Sequence, residues 1–317
     1  MLLTLASQIG ADFDTLAAAR PGIGKVISLP TDDLPLDRIM QEADALIVRP
    51  GPLWRKIAAR GRPDSWPGRI RWVQSASAGV DFYPEWLGEA PWFSCGRGVA
   101  SEQIADYVIG ALYARLKPFE TLAIRRAEDW VHRPIDSLIG RRVAILGLGS
   151  IGLAVARRLI ALGAHPVGVR RSSREDSADG IERAASLEQA VTSADDIVIA
   201  LPATPETRGI VNGKLLGHVR PGAHLVNIAR GSIVDQEELI RALDDGRLGF
   251  ATLDVTDPEP LPAGHPLYTH PRVRITPHIS SNWQGILPAL YERLLANIDA
   301  VAHDIPPEDL VLRSRGY

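Results

Sequence analysis

The segment GLGSIG, residues 147–152, constrains the fold more than any other part of the chain. It matches the pattern G-x-G-x-x-G, with the apolar run VAIL before it and IGLAVARRLIALG after it. In a strand–turn–helix context, Gly147 permits the tight turn, Gly149 lets a pyrophosphate approach the backbone, and Gly152 allows close helix packing. The sequence therefore predicts a dinucleotide-binding domain of Rossmann type. A purely structural glycine turn is the alternative.

Short apolar runs alternate with amphipathic segments on both sides of this motif. The earlier runs are LLTLAS, KVISLP, ADALIVRP, IRWVQSAS and PWFSCG, and the later ones are RRVAILG, HPVGVR, DDIVIAL, AHLVNIAR, FATLDV and VRITPH. This alternation is typical of parallel sheets with crossover helices. Because 317 residues are enough for roughly two domains, we expect an α/β protein with two doubly wound parallel-sheet domains.

The predicted boundaries follow from the two series of runs. Residues 1–98 form one domain, completed by the C-terminal segment 284–317, and residues 99–283 form the dinucleotide-binding domain. A helix over residues 102–116 should lead from the first domain to the second. The helical segment ILPALYERLLANIDAVAHDI has no strand after it, so we expect it to pack on the first domain. In DQEELIRALDDG, Asp235 is the predicted N-cap and Gly246 the predicted end of a helix.

Composition limits the possible partners and compartments. The net charge is −3, with 45% apolar and 23% charged residues, so no basic excess favours nucleic acid. Charges such as Arg157 and Arg158 interrupt the apolar runs, and the N-terminus lacks the basic region of a secretory signal, so neither a membrane span nor secretion is expected. The single cysteine, Cys95, excludes an internal disulfide and a cysteine-based metal site and favours the cytoplasm. No metal is expected.

The stretch VGVRRSSRE follows the glycine motif at the distance where NAD-binding domains have an acidic residue. Arginines stand there instead. A carboxylate would repel the 2′-phosphate of NADP, whereas arginine binds phosphate in a bidentate, charge-assisted manner. We therefore predict that Arg170, Arg171 and Ser172 bind this phosphate, so that NADP(H) is preferred and NAD(H) remains possible. A solvated charge run on a surface loop is the alternative.

Several blocks in the same order resemble the D-isomer-specific 2-hydroxyacid dehydrogenase family along nearly the whole chain. These blocks are SAGVDF, IADYVIGAL, GLGSIG, LPATPETRGIVN, VNIARGSIVDQEELIRAL, LDVTDPEPLP, HPLY, ITPHIS and the terminal RGY. The resemblance implies a flavodoxin-like substrate domain beside the Rossmann cofactor domain, with the active site in the cleft between them. It also implies a homodimer, for which the helix IADYVIGALYARL and Trp130 offer apolar surface.

The family's catalytic residues correspond to Arg230 in NIARGS, Glu259 in TDPEP and His278 in TPH. Reduction of a 2-keto acid requires a cation that orients and polarises the substrate, a hydride donor, and an acid that protonates the new alkoxide. By the resemblance, Arg230 has the first role and His278 the last. Glu259 accepts a hydrogen bond from the imidazolium and stabilises it. Each of the three follows an apolar strand, where open α/β sheets bind ligands.

The resemblance implies cofactor and substrate contacts as well. Asp254 corresponds to the residue that holds the nicotinamide carboxamide, and the amides of Ala78, Gly79 and Val80 to those that bind the substrate carboxylate. Further cofactor contacts are expected at the glycine turn and at the loops after later strands, namely at Ser150, Ile151, Leu201, Pro202, Thr207, Ile228 and Ala229.

Two departures from the family pattern affect the predicted specificity. Small residues usually follow the catalytic His, but this chain reads HISSNW, so Trp283 is predicted to line the substrate pocket, with packing under the last helix as the alternative. Asp106 stands where a Glu is common. We expect reduction of glyoxylate or hydroxypyruvate, with bulkier acids such as phenylpyruvate as the alternative substrates. Oxidation of a hydroxy acid uses the same residues, and a nucleotide-sensing corepressor-like binding protein is the alternative of a different class.

Overall fold

The computed structural model describes residues 2–169 and 180–312. The chain forms two compact units. The first runs to Val99 and resumes at Trp283, and the second is Ala100–Asn282. Val99 and Trp283 therefore belong to the first unit, whereas the boundaries drawn from the sequence put both in the second.

The first unit contains a parallel sheet. Among the described residues its strands are β1 (Leu3–Ser7), β2 (Ile23–Ser28), β3 (Ala45–Val48), β4 (Trp72–Ser75) and β5 (Trp92–Ser94). Its helices are α1 (Ala11–Ala18), α2 (Leu36–Glu42), α3 (Leu53–Arg60) and, near the C-terminus, α10 (Ile286–Ala302). The strand order is β2-β1-β3-β4-β5, which is the flavodoxin-like order.

Helices cover both faces of this sheet. On one face, Leu290, Leu294 and Ile298 of α10 join β-strand residues such as Leu5 and Trp72 in one buried cluster. Their spacing of four residues puts them on one side of the helix. On the other face, α2 and α3 contribute to a second buried cluster. Because both faces are buried, β3 has the continuous apolar sequence ALIV.

The second unit contains a longer parallel sheet. Its described strands are β6 (Arg142–Leu146), β7 (His165–Val169), β8 (Glu182–Arg183), β9 (Asp196–Ile199), β10 (Ala223–Asn227), β11 (Leu248–Leu253) and β12 (Val273–Ile275). Its described helices are α4 (Ser101–Leu116), α5 (Phe119–Leu122), α6 (Ser150–Ala161), α7 (Leu187–Thr192), α8 (Gly213–Leu216) and α9 (Gln236–Asp244).

The strand order of this sheet is β12-β11-β10-β9-β6-β7-β8. The chain begins in the middle at β6, runs outward to β8, and then returns to continue from β9 on the other side of β6. This is the Rossmann order, whose direction reverses between β6 and β9. Buried clusters lie on both faces of β6, with Ala144 and Leu146 in one and Val143 and Ile145 in the other. The fold class predicted from the sequence is confirmed.

Both ends of α9 lie where the sequence predicts them. The side chain of Asp235 caps α9 by accepting a hydrogen bond from the amide of Glu238 at 3.0 Å, as predicted. Gly246 follows the end of this helix with φ 81°. The short edge strand β8 was not predicted, because its exposed sequence ER has no apolar pattern. In the part of the chain that the structure describes, no helix has the length and apolar character needed to span a membrane.

Candidate active site

The glycine turn joins β6 to α6 at the point where the strand order reverses. Gly147 has φ 109°, and a Cβ there would lie 2.6 Å from the carbonyl oxygen of Ala200 at the end of β9. A Cβ on Gly152 would collide with the carbonyl oxygen of Gly147. Gly149 differs from both, because a Cβ there would meet no atom within 4 Å. Two of the glycines therefore allow close packing, and the third leaves open space beside the backbone.

This open space lies where the first turn of α6 begins. Gly149 is the N-cap of the helix, and Ser150 and Ile151 are in its first turn. The first amides of a helix have no intrahelical acceptor, and the helix dipole favours an anion there. The turn therefore fits a pyrophosphate in both space and electrostatics. On the far side of the turn, the amides of Gly147 and Leu148 donate to the carbonyl of Val169 at 3.2 Å.

The predicted 2′-phosphate contacts, Arg170, Arg171 and Ser172, lie outside the described residues, as does the terminal RGY block. β7 ends at Val169, immediately before the first of them.

The loop after β9 is held by a buried threonine. Thr207 is 3% exposed, and its hydroxyl donates to the carbonyl oxygen of Pro202 at 2.6 Å and accepts from the amide of Thr204 at 2.8 Å. Thr207 thus fixes the path of the backbone that contains Leu201 and Pro202. Thr207 therefore stays a predicted cofactor contact whose hydroxyl also shapes this loop.

Arg230 follows β10 on a tightly held backbone. Buried Asn227 accepts from the amide of Ala229 at 3.0 Å and donates from Nδ2 to the carbonyl of Arg230 at 2.9 Å. Ile228 and Ala229 are themselves buried. A Cβ on the next residue, Gly231, would collide with the backbone of Thr256, so the chain passes close to the loop that follows β11. Asn227 was not predicted as a site residue, although a polar residue at the end of a fully buried strand is a signal for one.

Asp254 follows β11 and is 1% exposed. Its Oδ1 accepts from the hydroxyl of Thr276 at 2.7 Å and from the amide of Ile279 at 2.9 Å, and its Oδ2 accepts from the amide of Ser280 at 2.9 Å. The carboxylate thus organises the loop after β12. An ionised carboxylate has about four acceptor positions, so these bonds leave capacity for a further donor such as the carboxamide expected from the resemblance.

His278 lies in this loop with φ 51°, a left-handed conformation that non-glycine residues seldom adopt. Its amide donates to the carbonyl oxygens of Asp254 at 2.8 Å and Thr276 at 3.0 Å. Its ring Nδ1 lies 3.0 Å from Oε2 of Glu259. The predicted pair of His278 and Glu259 is therefore brought together, and Nε2 is the ring nitrogen left for a reacting group.

Three surrounding groups influence the carboxyl of Glu259. Burial of this side chain opposes its ionisation, but the hydrogen bond and charge of His278 favour the carboxylate, as do the amide of Thr256 and the charge of Arg230. Together they outweigh burial and hold the pKa of Glu259 below its usual value. Glu259 therefore stays ionised at neutral pH beside an imidazole and within the electrostatic reach of a guanidinium.

The loop after β4 contains Ala78, Gly79 and Val80 in the first unit. The hydroxyl of Ser77 donates to the carbonyl of Gly79 at 2.8 Å and lies 3.0 Å from the hydroxyl of Ser75. Ser75 in turn lies 3.2 Å from the hydroxyl of buried Tyr83. Sequence reasoning missed this support. The repeated serines in QSASAG, just past a buried strand, are the signal for it.

The two departures from the family pattern are both at the surface. Trp283 is 44% exposed, and its ring occupies the space that a Cβ on Gly285 would need at the start of α10. It therefore contacts the last helix without being a core residue. Asp106 is exposed on α4 and accepts from Arg158 of α6 at 2.7 Å.

A parallel sheet with a glycine turn at its reversal point, followed by an Arg, a Glu and a His in loops after later strands, is the arrangement expected of a nicotinamide-dependent oxidoreductase. Residues 109–280 match the family model described as "D-isomer specific 2-hydroxyacid dehydrogenase, NAD binding domain". Glyoxylate/hydroxypyruvate reductase A of Serratia proteamaculans is 34% identical over 303 residues, which are 91% of this chain and 90% of that protein. The chain belongs to the D-isomer-specific 2-hydroxyacid dehydrogenase family, whose members are oxidoreductases.

Solved structures give the same result. A D-isomer specific 2-hydroxyacid dehydrogenase from Xanthobacter autotrophicus, in complex with NADPH and MES, superposes with a TM-score of 0.80 at 27% identity and covers 100% of both chains. The NADPH-dependent glyoxylate/hydroxypyruvate reductase of Sinorhizobium meliloti, in complex with NADP and sulfate, has a TM-score of 0.79 at 25% identity, again over 100% of both chains.

Proposed function

We propose that this protein is an NADP(H)-dependent reductase of small 2-keto acids, with glyoxylate or hydroxypyruvate as the first candidates. The observation that supports this most is the distance of 3.0 Å between Nδ1 of His278 and Oε2 of Glu259. This pair places an imidazole against a carboxylate whose pKa is held low, in a unit that matches the NAD-binding model. The glyoxylate/hydroxypyruvate reductases among the relatives support the substrate class.

The side chains have separate roles in this reaction. When bound, the nicotinamide cofactor supplies the hydride. Arg230 orients the 2-keto acid and polarises its carbonyl, and His278 donates a proton from Nε2 to the oxygen that becomes the hydroxyl. Glu259 holds Nδ1 and stabilises the imidazolium before the proton is transferred. Oxidation of the hydroxy acid uses the same groups in reverse.

The first unit serves as the substrate domain and the second as the dinucleotide-binding domain. The amides of Ala78, Gly79 and Val80 bind the carboxylate of the substrate, on a loop shaped by the hydroxyls of Ser75 and Ser77. Asp254 contacts the carboxamide of the cofactor, and the glycine turn contacts its pyrophosphate. The open space beside Gly149 supports the last of these contacts.

The test of this function is turnover across a panel of 2-keto acids with NADPH and with NADH. Glyoxylate and hydroxypyruvate should give the highest kcat/KM. Binding of either cofactor without turnover of any 2-keto acid would contradict the proposal and favour a nucleotide-sensing protein.

Preference for NADPH over NADH is tested at Arg170. The arginines of VGVRRSS and the NADPH-bound relatives support a preference of about tenfold or more in kcat/KM, which corresponds to about 1.4 kcal/mol. Arg170→Asp should reverse the order by repelling the 2′-phosphate. Arg60→Asp makes the same charge change on an exposed residue of the first unit and should leave it unaltered. Preference of the unmodified protein for NADH would contradict the prediction.

We further propose that Trp283 limits the size of the substrate, because a large exposed ring stands where the family usually has small residues. Trp283→Ala should raise kcat/KM for phenylpyruvate relative to glyoxylate. Gly285→Ala is a second variant, since the new Cβ would force the ring to move. If both variants lose thermal stability while this ratio stays constant, Trp283 is a packing residue only.

The proposed homodimer is supported by exposed apolar side chains after α4. Several apolar residues of α4 itself, such as Val108 and Leu112, are buried against the sheet and α6 of their own unit, whereas Tyr107, Ile109 and Tyr113 are only partly buried. Five side chains in the following segment are at least half exposed, namely Phe119, Trp130, Val131, Ile135 and Ile139. Phe119→Glu with Trp130→Glu should give monomers by light scattering. A stable monomer of the unmodified protein at micromolar concentration would contradict the dimer.

A cytoplasmic location is proposed on the basis of Cys95. This cysteine is free and buried, and burial raises the pKa of its thiol. An unpaired thiol that stays protonated suits a reducing compartment. Cell fractionation with an antibody or a tag tests the location directly.

A further inference from the structure

We propose that Tyr107 and Thr276 are positioning residues, which fix the backbone of His278 through Asp254. The inference rests on the proposed role of His278 as the proton donor. It assigns a function in the reaction to a residue of α4, an element that contributes none of the expected catalytic or binding residues.

The hydroxyl of Thr276 connects Tyr107 to Asp254. It lies 2.5 Å from the hydroxyl of Tyr107 and donates to Oδ1 of Asp254 at 2.7 Å. A hydroxyl has a single proton to donate. Because the proton of Thr276 goes to the carboxylate, the phenol of Tyr107 must donate to Thr276. Burial raises the pKa of Tyr107 and so keeps this donor protonated.

Asp254 connects Thr276 to the loop that contains His278. The carboxylate is buried and accepts from the amides of Ile279 and Ser280, the two residues directly after His278. Bonds to an ionised acceptor are stronger than neutral ones. Rotation of the carboxylate would break them, and the hydrogen bond from Thr276 opposes that rotation. Tyr107 limits the rotation of Thr276 in the same way.

His278 needs this support because its backbone conformation is unfavourable. A histidine with φ 51° persists only where surrounding contacts determine it. Two bonds from its own amide and two from the following amides provide those contacts. The conformation directs the ring to Glu259, with Nδ1 and Oε2 3.0 Å apart. Loss of the Thr276 hydroxyl should therefore misplace the proton donor.

Thr276→Val tests the proposal, because valine has the same shape without the hydroxyl. We expect kcat to fall about tenfold, the cost of a slightly misplaced acid, with KM for glyoxylate changed less than about twofold. Thr276→Ser is the matched control, since it keeps the hydroxyl and should restore kcat. Tyr107→Phe should lower kcat less, because it removes only the outer bond.

The double variant provides the decisive comparison. If Tyr107 acts through Thr276, Tyr107→Phe should have no further effect on kcat in the Thr276→Val background. Additive effects, or an unchanged kcat in Thr276→Val, would overturn the proposal. If Thr276→Val does not fold, failure of Tyr107→Phe to lower kcat overturns it as well.

These outcomes can be distinguished from failure of the proposed function. An unmodified protein that reduces no 2-keto acid contradicts the function itself. In that case the geometry is still tested by the NMR signals of the His278 ring, which should shift in Thr276→Val and return to their original positions in Thr276→Ser.

Discussion

The loops after β4 in the first unit and after β12 in the second are held in chemically different ways. In the first, the hydroxyls of Ser75, Ser77 and Tyr83 form a neutral network around Gly79. In the second, the carboxylate of Asp254 accepts from one hydroxyl and two amides. Both loops follow parallel strands at the carboxyl edge of a sheet, so their different supports come from the residues and not from the topology.

The difference corresponds to the proposed roles. A loop that binds a substrate carboxylate through its amides must leave those amides free, and neutral hydroxyls can shape it without competing for an anion. A loop that presents a proton donor must hold one residue in one conformation, and bonds to an ionised carboxylate are roughly twice as strong as neutral bonds. We therefore expect substitutions in the second loop to lower kcat and those in the first to raise KM.

The largest effect is expected for His278→Ala. Removal of a general acid should lower kcat by about 10²- to 10⁴-fold, while KM for the keto acid changes little, because the first loop still binds the carboxylate. Steady-state kinetics with glyoxylate and NADPH measure both constants. His218→Ala, at an exposed histidine of the same unit, is the control. If kcat of His278→Ala is near normal, His278 is not the proton donor. The proposed difference between the two loops would then have no basis.

Glu259→Gln should change the pH dependence of the reaction. Reduction needs the protonated imidazole, and ionised Glu259 stabilises that form. The variant should therefore lose activity at a lower pH than the unmodified protein as the pH rises.

The low-pH side follows from the carboxyl of Glu259 itself. Its pKa is held below the usual value, so the pair with His278 should persist until the pH falls through that lowered pKa. The kcat profile measured from low to high pH tests both limits. Glu292→Gln, at an exposed position, should leave the profile unchanged. An unshifted profile in Glu259→Gln would mean that the hydrogen bond at 3.0 Å does not stabilise the acid.

Local sequence patterns predicted the fold well, for physical reasons, whereas the candidate catalytic residues came from the family resemblance and stay predictions. Glycines that allow close approach, and apolar runs that bury both faces of a sheet, follow directly from the chain, as at Gly152 and in the ALIV run of β3. The supports of the site could not be predicted in this way. Tyr107 and Thr276 form a hydrogen bond across 169 residues of sequence, and no local period reveals such a pair.

A smaller effect is expected for Ser77→Ala in the first loop. Loss of the neutral hydrogen bond to Gly79, worth about 1 kcal/mol, should raise KM for glyoxylate about fivefold through a less ordered set of amides. The kcat and the Kd for NADPH should stay the same. Ser65→Ala, at an exposed serine of the same unit, is the control. If Ser77→Ala lowers kcat as much as Thr276→Val does, the two loops do not have the separate effects on KM and kcat that we propose.

The buried polar side chains in the interiors of the two units also differ in their chemistry. In the first, buried Gln74 accepts from Ser94 at 2.7 Å and from Asn297 at 2.8 Å, and none of these groups titrates. In the second, buried His224 accepts from or donates to Thr252 at 3.0 Å, and its Nδ1 lies 3.7 Å from Oδ1 of Asp196. The second unit therefore contains two buried titratable side chains next to each other, His224 and Asp196.

The smallest predicted effect concerns stability and arises from His224. Burial, with the charges of Arg115, Arg274 and Arg141, lowers the pKa of His224 to about 3 from 6.5. Because the unfolded chain then binds the proton more readily, the free energy of unfolding should decrease as the pH falls below about 6.5 and until it nears about 3. His224 alone would give a loss of about 2 kcal/mol between pH 7 and pH 5. Burial raises the pKa of Asp196, which acts in the opposite direction, so the net loss should be smaller. Urea unfolding at the two pH values measures this change in the free energy of unfolding.

His224→Gln should abolish this part of the pH dependence without changing kcat. His218→Gln, at an exposed histidine, should retain it. If the free energy of unfolding changes with pH equally in His224→Gln and in the unmodified protein, His224 does not contribute to this pH dependence. The interior of the second unit would then be no more sensitive to acid than the neutral network around Gln74 in the first.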